Sequence, residues 1–254
     1  MPPRGTVARR RVRAAGLRRA GAPVIMPSME PGDPRSTTAA FDVDHTLTTR
    51  DVFLPFVRDV VGVPAFTRAM ARMASSALRT RVDRDVMKAT VVAALAGRDE
   101  AVLREAGVRH AEQLHRRWLR PQVAARVAAH RERGHRVVLV SASLDAYLEP
   151  FAALVGADEV LCSRLEVVDG VVTGRLVGAN CRGDEKVVRL AELRAGSSLL
   201  WAYGDSRDDE AMLRIADRPV WVAGDALVDG SARGGTIERP RRATARSLPP
   251  PPPP

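Results

Sequence analysis

A short apolar run at residues 39–41 ends abruptly in two aspartates, Asp42 and Asp44, and this feature constrains the fold most strongly. An apolar strand that ends in polar residues places them at the carboxyl edge of a sheet, where open α/β sheets bind ligands. Paired carboxylates at that edge can hold a divalent cation and take part in covalent chemistry. The alternative interpretation is a helix N-cap, with Asp44 or Thr46 capping the segment that follows.

Further apolar runs alternate with helical patterns along the chain, which indicates a parallel sheet covered on both faces. The predicted strands are residues 136–140, 159–162, 165–168, 171–176, 199–203 and 219–222. The predicted helices are residues 144–155, 184–193 and 208–215. The pair Asp169-Gly170 is a recognised turn and predicts a hairpin between the third and fourth of these strands.

Residues 52–133 have a different pattern, with apolar residues at helical spacing and few turn signals. We interpret this segment as a helical cap inserted after the first strand, above the carboxyl edge, where it could close over a ligand. The predicted fold is therefore α/β, with a Rossmann-like parallel-sheet core at residues 38–51 and 134–230.

The net charge of +10 lies entirely in the two ends of the chain, since residues 1–37 carry +6 and residues 231–254 carry +4. A neutral core makes nucleic acid an improbable partner for the folded part. Both ends are rich in Arg and Pro and are predicted to be disordered, and residues 249–254 form a polyproline tract. Their partners are not indicated, although weak binding to anionic surfaces or RNA is an alternative. Met26 is an alternative start that would remove the leader.

The sequence predicts a cytoplasmic protein without a membrane span, because it has no apolar run of sufficient length. A signal peptide fits poorly, since Arg18 and Arg19 interrupt the candidate apolar stretch. Cys162 and Cys181 are too far apart in sequence for a CxxC motif and fit a reducing compartment.

Polar residues follow three predicted strands and should meet at one edge of the sheet. They are Asp42 and Asp44, then Ser141 and Ser143, then Asp205. Such a cluster of aspartates would repel itself without a cation, and an oxygen-only ligand set favours Mg²⁺. For the neighbouring pair Asp208-Asp209, a helix start is the alternative, since acidic residues suit a first turn.

Lysine is rare in this chain, because Lys88 and Lys186 are the only lysines among 40 basic residues. The two are therefore candidates for a role that needs a compact point charge rather than a planar guanidinium. Lys186 begins a predicted helix, from which it could reach an anion at the strand edge. Lys88 lies in the predicted cap, and a solvated surface lysine is the alternative there.

These residues, in this order, resemble the phosphatases of the haloacid dehalogenase superfamily, specifically the subclass IB group that includes phosphoserine phosphatases. The resemblance covers about residues 38–224. Four ordered motifs carry it: residues 42–47, then Ser141, then Lys186, then Gly204-Asp205 with Asp208-Asp209. Asp208 stands where relatives often carry Asn, and His45 stands where they commonly have Gly or Ser.

The resemblance implies a Mg²⁺-dependent phosphatase that hydrolyses a small-molecule phosphomonoester. It implies that Asp42 attacks phosphorus and forms an aspartyl-phosphate. Asp44 would protonate the leaving group and then activate water, while Ser141 would hold phosphoryl oxygens. Lys186 would offset negative charge. The implied Mg²⁺ ligands are Asp42, the Asp44 carbonyl and Asp205, with Asp209 orienting water ligands.

The substrate is less defined by these motifs. Phosphoserine phosphatases use an acid shortly after the first motif and a cap arginine for the substrate carboxylate. Asp51 could supply the acid, and Arg84 or Lys88 could replace the arginine, so Asp51, Lys88 and Ser143 are the predicted substrate-binding residues. Phosphoserine phosphatase proper, a phosphotransferase, and a basic-tailed anion- or RNA-binding protein on an inactive scaffold are the alternatives.

Overall fold

The computed structural model describes residues 36–77, 83–194 and 197–230. The predicted disorder of the leader, up to residue 35, and of residues 231–254 lies outside these described residues. Within them, no helix combines the length and apolarity needed to cross a bilayer.

Seven strands of the described residues form one sheet in the order β4-β3-β2-β1-β5-β6-β7. The strands are β1 Thr37–Phe41, β2 Arg136–Leu144, β3 Glu159–Val168, β4 Val171–Val177, β5 Leu199–Gly204, β6 Arg218–Ala223 and β7 Ala226–Asp229. All neighbours are parallel except the edge strands β4 and β7, which pair antiparallel with β3 and β6. The predicted α/β class with a mostly parallel sheet is confirmed.

Strand β3 differs from the sequence prediction, which divided it into two strands. It is continuous because its first half pairs parallel with β2 and its second half pairs antiparallel with β4. The short edge strand β7 was not predicted, and it follows a turn after β6.

In the part of the chain that the structure describes, eight α-helices accompany the sheet: α1 Phe53–Val61, α2 Val63–Ala77, α3 Arg84–Val92, α4 Glu100–Gln113, α5 Pro121–Glu132, α6 Asp145–Val155, α7 Asp184–Arg194 and α8 Glu210–Arg214. Helices α1 to α4 belong to the insertion between β1 and β2. Helix α5 packs against β2, and the predicted end of the cap at residue 133 stays a prediction.

Strand β1 is the central, fully buried strand, and the chain changes direction there. From β1 the chain adds β2, β3 and β4 on one side, and it then returns to place β5 on the other side. This is the switch point of an open α/β sheet, where the carboxyl ends of neighbouring strands leave a crevice. The residues that follow β1, β2 and β5 are therefore brought together.

The chain passes from the core into the insertion near Thr48 and returns to the core near Leu119, and these two crossings lie side by side. Thr48 and Leu119 form an antiparallel bridge. The Thr49 N–H donates to the Trp118 carbonyl at 2.8 Å, and the Arg120 N–H donates to the Leu47 carbonyl at 2.8 Å.

A buried histidine lies beneath the central strands. His130 of α5 is fully buried, and its Nε2 is 2.9 Å from the Tyr203 hydroxyl of β5. Its Nδ1 is 2.8 Å from Nδ1 of His135. Burial, with the charges of His135, Arg133 and Arg126, lowers the pKa of His130 from 6.5 to about 3.

We expect this histidine to make folding depend on pH. The unfolded chain binds a proton at His130 below about pH 6.5, and the folded chain does not until near pH 3. Protonation of His130 therefore favours the unfolded chain, so the free energy of unfolding is highest above pH 6.5 and decreases as the pH falls toward 3. The loss between pH 7 and pH 4 should be roughly 3 kcal/mol. Urea unfolding of the parent and of His130→Gln at both pH values measures it. A pH dependence of the same size in both proteins, with exposed His115→Gln as control, would contradict the prediction.

Candidate active site

The nucleophile predicted from the sequence forms a buried ion pair. Asp42 follows β1 directly, and its N–H donates to the Tyr203 carbonyl of β5 at 2.9 Å. Its Oδ1 accepts a hydrogen bond from Lys186 Nζ at 2.7 Å. The same ammonium donates to Asp209 Oδ1 at 2.5 Å. All three side chains are buried, so this cation and these carboxylates interact with little screening by solvent.

The charges of this group shift the pKa of both carboxylate and ammonium. Burial and the charge of Asp209 raise the pKa of Asp42 well above its ordinary value, against the opposing effect of Lys186. Burial lowers the pKa of Lys186, but the carboxylates of Asp209 and Asp42 outweigh it, so the net shift is upward. Lys186 therefore remains a cation at every physiological pH.

Asp209 is held by the loop that leaves β5. Its Oδ2 accepts from the N–H groups of Asp205 at 3.2 Å and Ser206 at 3.1 Å, and from the Ser206 hydroxyl at 3.0 Å. Glycine is required at position 204, because a Cβ there would lie 2.4 Å from the Cβ of Asp209. The Gly204-Asp205 sequence thus allows the turn to close on Asp209.

A divalent cation fits the acidic cluster at this edge. Carboxylate oxygens of Asp42, Asp205 and Asp209 lie within 4.8 Å of one another. Lys186 pairs with two of these carboxylates and offsets one negative charge. The donors are all oxygen, the type that Mg²⁺ prefers. Thr46 Oγ1 donates to Asp205 Oδ1 at 3.4 Å.

The second aspartate of the pair faces different partners. Asp44 Oδ2 accepts from the hydroxyl of Ser143 at 2.6 Å and from that of Ser141 at 3.3 Å. Its Oδ1 accepts from the Val52 N–H at 2.7 Å. Burial, followed by the charge of Asp51, raises the pKa of Asp44. The structure therefore brings both predicted serines to Asp44.

The loop after Asp42 takes a conformation that explains why a small residue would suit position 45. His45 has φ = +63°, in the left-handed region that glycine adopts without strain. Histidine is one of the side chains that tolerate it. The guanidinium of buried Arg120 donates to the carbonyls of His45 and Thr46, each at 3.0 Å. Sequence analysis missed Arg120, and nothing marks it there, since its partners on this loop are backbone atoms.

A cleft of about 520 Å³ opens above these residues, and the insertion supplies its apolar wall. That wall consists of Phe53, Leu54, Met73, Met87 and Val91. Lys88 Nζ also faces the cleft, where it donates to Asn180 Oδ1 at 2.9 Å and Ser163 Oγ at 3.3 Å. Burial lowers the pKa of Lys88 to about 8. Among the described residues no carboxylate forms a salt bridge with it. Lys88 is half-buried rather than a solvated surface lysine.

Two other residues singled out from the sequence have structural contacts. Asp208 accepts two hydrogen bonds from Arg182, at 2.7 and 2.6 Å, and one from Arg84 of α3 at 3.0 Å. It thus ties the insertion to the core. Asp51 borders the cleft, and its Oδ1 accepts from the Leu54 N–H at 3.1 Å in the first turn of α1. A substrate role for Asp51 stays a prediction.

The chain is similar in sequence to a known family of hydrolases and to individual bacterial proteins. A family model described as haloacid dehalogenase-like hydrolase matches residues 39–214. Protein CicA of Caulobacter vibrioides is 36% identical over 183 residues, which cover 70% of this chain and 82% of that protein. A probable phosphatase of Mycobacterium tuberculosis is 30% identical, with 83% of this chain and 79% of that protein covered. A phosphoserine phosphatase of the same organism is 28% identical, with coverages of 84% and 73%.

A solved structure supports the same fold. The crystal structure of a protein of unknown function from Bordetella pertussis superposes with a TM-score of 0.63 at 25% sequence identity. The superposition covers 72% of this chain and 88% of that one. The parallel sheet and its helices are therefore shared with an experimentally determined structure.

Proposed function

The chain belongs to the haloacid dehalogenase-like hydrolase family, and on this premise we propose that it is a Mg²⁺-dependent phosphatase acting on a small-molecule phosphomonoester. The family membership confirms the resemblance inferred from the four motifs. The observation that carries the proposal is the buried contact of Lys186 with Asp42 and Asp209, beside Asp205, at the switch point of the sheet.

The reaction would proceed in two steps on the side chains of this chain. A carboxylate oxygen of Asp42 attacks phosphorus, the bond to the ester oxygen breaks, and an aspartyl-phosphate forms. Asp44 gives its proton to the departing alkoxide. A water molecule then attacks the phosphoryl group while Asp44 takes its proton, which releases phosphate and restores Asp42.

The surrounding groups would favour these steps electrostatically. Lys186 offsets the negative charge that the phosphate brings to Asp42 and Asp209. The Ser141 hydroxyl, which lies beside Asp44, would hydrogen-bond a phosphoryl oxygen. Mg²⁺ would be held by Asp42, the Asp44 carbonyl and Asp205, with Asp209 orienting its water ligands, and when bound it supplies positive charge to the phosphoryl oxygens. The raised pKa of Asp44 agrees with its role as the initial acid.

Removal of the metal tests this proposal directly. We expect EDTA to reduce phosphate release from p-nitrophenyl phosphate at least about 100-fold and added Mg²⁺ to restore it. Mg²⁺ should also raise the unfolding temperature, because it binds only the folded state. Asp205→Asn should reduce both the restoration of turnover by Mg²⁺ and the rise in unfolding temperature that Mg²⁺ causes. Asp169→Asn, in the distant β3–β4 turn, is the matched control and should leave both intact. Full turnover in EDTA would contradict the metal requirement.

The substrate would be a compact phosphomonoester that contacts Lys88, Asp51 and Ser143, beneath the cap formed by residues 52–133. Phosphoserine phosphatase proper is the alternative that the relative of that name supports. The contacts of Lys88 support a second anionic group in the substrate, because the hydrogen-bond partners of this cleft cation among the described residues are neutral.

Lys88→Met tests whether the leaving group of the substrate carries a second anionic group that binds Lys88. We expect kcat/KM for a carboxylate-bearing substrate such as phosphoserine to fall about 10- to 100-fold, since one charge-assisted hydrogen bond is lost. For p-nitrophenyl phosphate, which has no second anion, kcat/KM should change by less than about 3-fold. Lys88→Arg is the matched variant and should keep part of the preference. Equal losses with both substrates would show that Lys88 does not bind a second anion.

A further inference from the structure

The backbone of one residue, Val52, connects the insertion to the proposed general acid through its N–H on one side and its carbonyl on the other. The N–H of Val52 donates to Asp44 Oδ1 at 2.7 Å. The carbonyl of the same residue lies 2.9 Å from Nε2 of His110, on α4 of the insertion. Val52 is fully buried, and His110 is 4% exposed, so water does not compete for either hydrogen bond.

The contact with the Val52 carbonyl defines which ring nitrogen of His110 carries a hydrogen. The Val52 carbonyl can only accept, so Nε2 of His110 must carry the hydrogen. Burial lowers the pKa of His110, which favours the neutral ring. Aromatic side chains surround this ring and fix its plane, with centroids at 5.1 Å for Tyr147, 5.3 Å for Phe56 and 6.2 Å for Trp118.

His110 is the main hydrogen-bond partner of the Val52 carbonyl. The helical partner of that carbonyl is the Phe56 N–H, at the long distance of 3.4 Å. Val52 also stands at the start of α1, immediately after the crossing that begins at Thr48. The histidine therefore fixes the peptide at the point where the chain enters the insertion.

We propose that His110 is a positioning residue that orients Asp44 for proton transfer by holding the carbonyl of Val52, the residue whose N–H binds Asp44. This inference rests on the proposed function, in which Asp44 protonates the leaving group. It assigns to the insertion a part in the chemical step in addition to substrate selection. The two carboxylates are then positioned by different parts of the molecule. Asp42 is held by Lys186 of the core, and Asp44 is held in part by the insertion.

The dependence on the leaving group provides a test that a purely structural role would not satisfy. A phenolate such as p-nitrophenolate departs without a proton, whereas the alkoxide of glycerol phosphate needs one. We expect His110→Phe, which keeps an aromatic ring and removes the donor, to lower kcat/KM for glycerol phosphate at least about 10-fold. For p-nitrophenyl phosphate kcat/KM should fall less than about 3-fold. His110→Gln, which retains a donor, should recover most of the activity on glycerol phosphate.

Reference variants distinguish failure of this inference from failure of the proposed function. Asp44→Asn should show the same selectivity in stronger form, and Leu103→Ala, a buried change elsewhere on α4, should affect both substrates equally. If Asp44→Asn is selective but His110→Phe is not, the inference is wrong and the proposed function stands. If the parent protein hydrolyses neither phosphate, both are wrong. Should His110→Phe fail to fold, His110→Leu replaces it, and equal losses on both substrates again overturn the inference.

Discussion

Replacement of Asp42 by Asn is expected to abolish phosphate release while leaving the protein folded. The amide has the same shape as the carboxylate but cannot attack phosphorus, so no aspartyl-phosphate forms. We expect kcat to fall by at least about 10³-fold, because loss of a nucleophile removes a complete reaction path rather than one stabilising contact. Phosphate release under saturating Mg²⁺ measures the effect. Acid-quenched mass spectrometry should detect a phosphoryl adduct in the parent and none in the variant.

The same substitution should not destabilise the metal-free protein. Asp42 is buried close to Asp209, and burial and repulsion by the Asp209 charge both raise its pKa, against the opposing effect of Lys186. Replacing the carboxylate by a neutral amide relieves this repulsion, so the unfolding temperature without metal should be equal to or above that of the parent. Asp169→Asn again serves as the control for a change from Asp to Asn. Retention of a tenth or more of the parent activity would show that Asp42 is not the nucleophile.

Replacement of Lys186 by Met is expected to cause the largest loss of stability among these variants. Its ammonium lies between Asp42 and Asp209, at 2.7 and 2.5 Å, and the side chain is 3% exposed. Without it, two buried carboxylates lose their common counter-ion. Breaking a buried ion pair in this way costs about 3–5 kcal/mol. Turnover should fall by about 10²-fold or more, because the charge that offsets the phosphate is also lost.

A double-mutant cycle separates the electrostatic part of this loss from packing. Adding Asp42→Asn to Lys186→Met removes one of the unpaired charges, so the double variant should be more stable than Lys186→Met alone. Lys88→Met is the matched control, since Lys88 is half-buried and makes no salt bridge among the described residues. Urea unfolding without Mg²⁺ is the measurement. A Lys186→Met protein within about 1 kcal/mol of the parent would exclude a counter-ion role for this lysine.

The sequence was sufficient to predict most strands of the sheet and the polar residues at its carboxyl edge, because each has a local signal. Asp42 and Asp205 each follow an apolar strand, and Ser141 follows the apolar run of β2 within that strand. The parallel arrangement then requires the three residues to converge. Lys186 was distinguished by the scarcity of lysine in a chain that otherwise uses arginine. These four residues lie around one cleft in the structure, and their catalytic roles stay predictions.

Residues whose partners are distant in sequence or belong to the backbone gave no local signal. Arg120 and His110 act on carbonyl groups 58 to 75 positions away. Asn180 bridges Lys88 and Asp85 of α3, a contact that exists only once the insertion has docked. The division of β3 into two predicted strands has a similar origin, because its continuity depends on two different neighbours.

The paired crossings at Thr48 and Leu119 make the insertion an exchangeable cassette. Residues bridged in an antiparallel pair have Cα atoms about 5 Å apart, so the chain enters the insertion and leaves it at nearly one point. The segment between them can therefore be lengthened, shortened or swapped without shifting β1 or β2. Such an exchange would replace the apolar wall of the cleft and retain Asp42, Lys186 and Asp205 of the core. It would also discard Val52, so any replacement segment would have to supply its own backbone donor for Asp44.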